Sequence, residues 1–137
     1  MPSLPAAVTD RLVDPDSDPA LERSRLRFAA GLAVMGVLHF VVPGPFRRIV
    51  PRWFPWRSGA VLWSGVAELT SGVLVAIPRT QRVGGWIAAG TILAVYPANV
   101  QMAVDAARGD STGAKVATLA RLPLQLPMIA TALRIAR

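Results

Sequence analysis

Four apolar runs of about 20 residues, joined by connections too short to hold a domain, decide most of what this chain of 137 residues can become. A helix needs roughly 20 apolar residues to cross a hydrocarbon core about 30 Å thick, and its backbone polar groups must be paired internally there. The runs predict helices over 21–42, 59–77, 83–104 and 114–136. Short connections make neighbours antiparallel, so the expected fold is an all-α, polytopic membrane protein, an antiparallel four-transmembrane-helix bundle spanning 21–137. The first 20 residues hold four of the twelve prolines and four aspartates, without an apolar run behind a basic start. They read as a disordered tail, not a signal peptide.

Charge is clustered at the ends of the apolar runs in a chain that is 53% hydrophobic, with mean hydropathy +0.43. The net charge of +7 therefore reads as contact with lipid headgroups and as an orientation signal, not as a nucleic-acid footprint. With both termini on one side, eight basic residues face six on the other. That bias predicts cytoplasmic termini in a multi-pass protein of the cell membrane. The absence of cysteine excludes thiol redox chemistry and thiolate metal sites within the chain.

Residues 43–58 pack four prolines, four arginines, Phe46, Trp53, Phe54 and Trp56 into one connection. That mixture suits the headgroup level and predicts a re-entrant or interfacial segment. Pro97 is expected to kink the third span, and Pro123 and Pro127 to bend the fourth.

Glu68 stands inside the apolar run 62–74, where a charge costs about 2.5–3.5 kcal/mol even on the mildest scale. It must face protein or a wet cavity. Ser64, Glu68 and Ser71 recur at helical spacing, and Gly65, Ala67 and Gly72 would let another backbone approach. At ~1.5 Å per residue, counted from the helix ends facing the first and third loops, His39 lies roughly 6 Å deep, Asn99 8 Å, Arg121 10 Å, Glu68 14 Å and Gln125 16 Å. All five fall in one half of the membrane. One reading is structural: Glu68 and Arg121 neutralise each other within salt-bridge distance, directly or through Asn99, Gln125 or water, and the amides tie helices together. The other is a ligand or proton site, with an acid, a base that titrates near neutrality, a fixed cation and two amides.

The motifs His39-Phe40-x-x-Pro43-x-x-Phe46-x-x-Ile49-Val50-Pro51, Ser64-Gly65-Val66-x-Glu68-x-x-x-Gly72, Ala94-Val95-Tyr96-Pro97-Ala98-Asn99 and Arg121-Leu122-Pro123-Leu124-Gln125 resemble those of the DoxX-like family of small four-helix membrane proteins. The likeness runs from about residue 26 to residue 136, with Tyr96 where phenylalanine is usual and Thr131 in place of an aromatic residue. It implies a four-helix integral membrane bundle. Relatives in that family include the membrane subunit of a thiosulfate:quinone oxidoreductase, partners of redox enzymes and assembly factors.

Two functions from different classes follow. In the first, the protein is a quinone-interacting membrane subunit or partner of an oxidoreductase system. His39, Glu68 and Arg121 are then the candidate catalytic residues, and Trp63, Ser64, Tyr96, Asn99 and Gln125 the candidate ligand-binding residues. No cofactor is held by a motif in the chain, so quinone is the expected ligand and a redox protein the expected partner, beside the lipid bilayer. In the second, the protein is a non-catalytic scaffold or assembly partner whose buried polar cluster is structural. A proton-coupled transporter is a third option that four helices could form only as an oligomer. The sequence contains no self-contained catalytic motif.

Overall fold

The computed structural model describes residues 18–137. Among them the chain forms five helices and no strand: α1 (Pro19–Val41), α2 (Pro43–Ile49), α3 (Arg57–Ala76), α4 (Gln81–Arg108) and α5 (Thr112–Ala136). The four long ones are long and apolar enough to cross a membrane. Most of the expected tail lies outside the described residues. Its last two residues, Pro19 and Ala20, already belong to α1, because the Asp18 side chain accepts a hydrogen bond from the Ala20 N–H and Pro19 fits the first helical position.

The other ends differ from expectation by a turn or less. α4 continues through Asp105 to Arg108, where Gln101 donates to the Asp105 carboxylate at 2.9 Å, one turn along the same face. The prolines within α4 and α5 do not end either helix, and both stay continuous through Pro97, Pro123 and Pro127.

Packing follows chain order: α1 lies on α3, α3 on α4, and α4 on α5. Small residues set the spacing. A Cβ on Gly36 would stand 2.6 Å from the Leu69 N and 2.8 Å from the Gly65 O, so the α1 and α3 backbones meet directly. Gly72 meets Ala29 and Ala33 in the same way one turn nearer the termini, so two of the three small residues singled out in α3 do let a second backbone approach. The third, Ala67, lines a cavity instead. Leu32, Ala88, Ala89 and Ala132 form the buried core, with Phe28 and Leu133 packed against it. Large apolar side chains such as Val34, Trp86 and Leu126 point outward, which is the arrangement for lipid as solvent.

Two arginines tie elements together through backbone carbonyls. Arg25, buried on α1, donates to the carbonyls of Val75 and Ala76, where α3 ends and its last carbonyls lack helical partners, and it also pairs with Glu22. At the other face Arg57, opening α3, donates to the carbonyls of Arg47 and Arg48 at the end of α2. The expected interfacial connection thus consists of a two-turn helix and turns that leave Trp53 and Trp56 exposed.

A polar pair beneath an apolar cavity

His39 sits in the last turn of α1 because Gly65 of α3 leaves room for it: a Cβ at position 65 would lie 2.7 Å from the His39 Cβ. The residue is 6% exposed and its ring stacks on Phe46 of α2, with centroids 3.8 Å apart. Its Nδ1 lies 2.8 Å from the Met35 carbonyl oxygen and 3.2 Å from Glu68 Oε2. Facing two acceptors, Nδ1 carries the proton, an assignment that rests on the hydrogen-bond pattern. The N–H is directed at Met35, so Glu68 Oε2 is near the ring without an aligned hydrogen bond and remains a buried acceptor lacking one. The His39 Nε2 makes no hydrogen bond among the described residues.

Above the pair lies a cavity of about 440 Å³ whose walls include His39, Trp53, Phe54, Trp63 and Pro97. Ser64 and Thr91 line it too, and each hydroxyl donates to its own helix, to Val61 at 3.0 Å and to Ile87 at 2.8 Å. Their oxygen lone pairs remain free to accept. Pro97 and Ala98 contribute to the α4 wall.

The five polar residues expected to converge are placed as follows. His39 and Glu68 meet directly. Arg121 is exposed on α5 and close enough to act electrostatically on both, yet it forms no ion pair with Glu68 among the described residues. The direct Glu68–Arg121 bridge is therefore replaced by a Glu68–His39 approach, because Gly36 and Gly65 bring α1 against α3 while α5 packs mainly on α4. Asn99 and Gln125 are buried at 3% and 5% exposure, and Gln125 Oε1 lacks a hydrogen-bond partner. Neither lines the cavity, nor does Tyr96, which is 40% exposed while its neighbours Val95 and Pro97 form the wall. Trp63 and Ser64 do line it.

Sequence reasoning gave no site role to Phe46, Trp53, Phe54 or Thr91. Phe46 had a signal, since it stands seven residues after His39, but Val42 and Pro43 break the helix between them and only the fold returns the ring to His39.

Four membrane-length helices with a half-buried acid beside a buried imidazole in the wall of an aromatic cavity define a multi-pass integral membrane protein with a candidate ligand site. Residues 28–136 match the family described as a domain of unknown function, DUF8561, and the chain belongs to that family. No curated protein and no solved structure matches the chain. The family description assigns no activity and does not name the DoxX-like group.

Proposed function

We propose that the protein is a DoxX-like, quinone-interacting membrane subunit or partner of an oxidoreductase system. The observation that carries this reading is the position of His39 in the wall of an apolar, aromatic cavity with Glu68 behind its ring. The residues fit a quinone: flat aromatic walls suit its ring, and one titratable nitrogen faces a space otherwise poor in polar groups. A bound quinone would supply the two-electron redox couple, and a partner protein would exchange the electrons.

The chain's own part is to place and move a proton. With Nδ1–H fixed on Met35, Nε2 is an acceptor suited to a quinol hydroxyl proton. The imidazolium formed on accepting it would be stabilised by the carboxylate 3.2 Å from Nδ1. Phe46 holds the ring plane during the transfer.

The test is binding of a short-chain quinol to the purified protein in detergent, with His39→Ala and His39→Gln compared. His39→Ala should weaken binding or turnover with little loss of folded protein. His39→Gln should retain binding and lose proton transfer. Wild-type behaviour of both variants would leave His39 structural and end the quinone reading. The scaffold reading has its own support in the backbone contacts at Gly36, Gly65 and Gly72, which hold α1 and α3 together independently of any ligand.

A further inference from the structure

A second cavity, of about 420 Å³, lies at the opposite end of the bundle from His39, where the start of α1 meets the start of α4 and the end of α5. Its charged lining is Glu22, Arg25, Arg82, Arg134 and Arg137. Glu22 is paired with Arg25, and Arg25 is further committed to the carbonyls that end α3. Arg82, Arg134 and Arg137 form no ion pair among the described residues. Three guanidinium groups, one from α4, one from α5 and one from Arg137 just after it, thus border one hollow whose acid is already engaged.

The rest of the lining indicates what kind of anion would enter. Leu21 and Ile135 supply apolar surface beside the cations, and both belong to membrane-length helices, so the hollow opens at headgroup depth. Arg23 and Arg27 border an adjoining hollow along α1, extending the positive surface. Guanidinium groups bind phosphate oxygens in pairs, and basic hollows between membrane helices suit anionic headgroups.

We propose that this hollow binds a phosphate anion through Arg82, Arg134 and Arg137, and that the phosphate is the headgroup of an anionic phospholipid. The site is separate from the His39 cavity and does not depend on the quinone reading.

The experiment uses the full chain in neutral detergent, with bound phosphatidylglycerol and phosphatidylcholine measured by native mass spectrometry. Phosphatidylglycerol should be retained in preference to phosphatidylcholine. Replacing Arg82, Arg134 and Arg137 together by Gln should weaken that binding by about a hundredfold, at about fivefold per cation. Replacing Arg47, Arg48 and Arg52 by Gln removes the same charge from the opposite face and should change it by less than about twofold. Equal losses in the two triple variants would mean diffuse attraction and overturn the site. Should the Gln triple fail to fold, the corresponding Lys triple keeps the charge but loses paired hydrogen bonds, and undiminished binding there would equally overturn it. Displacement of the lipid by millimolar inorganic phosphate would overturn the lipid assignment in favour of a soluble phosphate. Lipid binding that emerges only after Asp10, Asp14 and Asp16 are replaced by Asn would overturn the proposal in favour of the chain's own N-terminal carboxylates.

Discussion

His39 and Glu68, on different helices, approach to 3.2 Å while the His39 proton is held by Met35 of its own helix. The imidazole is therefore anchored by its own helix, and the carboxylate stands beside it with one oxygen unsatisfied. A double-mutant cycle with His39→Gln and Glu68→Gln, read by thermal unfolding in detergent, should give a coupling energy of about 0.5–3 kcal/mol, the range for residues in contact. Strictly additive effects would show that the two groups ignore each other.

The closeness of α1 and α3 makes Gly65 sensitive to a single methyl group. Gly65→Ala places a Cβ 2.7 Å from the His39 Cβ and 3.2 Å from the Gly36 O, so backbone has to shift. The expected cost is about 1–3 kcal/mol, with the His39 ring displaced from Phe46. Gly31→Ala, where nothing lies within 4 Å, serves as the control and should leave the melting temperature unchanged or slightly raised.

Filling the cavity should separate ligand binding from folding. Ala94 lies on its wall, and Ala94→Leu would occupy the space without disturbing the core formed by Leu32, Ala88, Ala89 and Ala132. Quinol binding is expected to fall at least tenfold while the melting temperature moves by no more than a few degrees. Unchanged binding would place the ligand elsewhere.

Arg25 combines a salt bridge with two helix-end carbonyls, so removing it breaks the pair with Glu22 and takes a donor from the carbonyls that end α3. Arg25→Met should destabilise the bundle by about 3 kcal/mol. Arg25→Lys should recover only part of that, because an ammonium cannot copy the planar fork that spans the Glu22 carboxylate and two carbonyls. Full rescue by lysine would mean that charge alone suffices.

Topology can be checked by labelling. Leu21 and Glu22 at the start of α1 line the same hollow as Arg134 and Arg137 at the end of α5, so tags on the two termini should be accessible from one face. A reporter in 51–56 should be accessible from the other.

Four membrane-length helices and their short connections were legible in the sequence because they depend on local quantities: apolar length, helix-end residues and turn chemistry. The importance of His39 and Glu68 was legible for the same reason, since an ionisable group in an apolar run needs a partner wherever the chain folds. Which partner it finds was not. Periodicity places Glu68 on a face of α3 but does not say whether α1 or α5 covers that face, and an opposite charge at Arg121 made α5 the natural choice. The tertiary structure decides for α1, because Gly36, Gly65 and Gly72 let those two backbones touch, and that close packing brings an imidazole to the carboxylate. The cavity is likewise a tertiary product. Its lining comes from the connection that carries Trp53 and Phe54 and from α1, α3 and α4, surfaces that meet only in the folded chain.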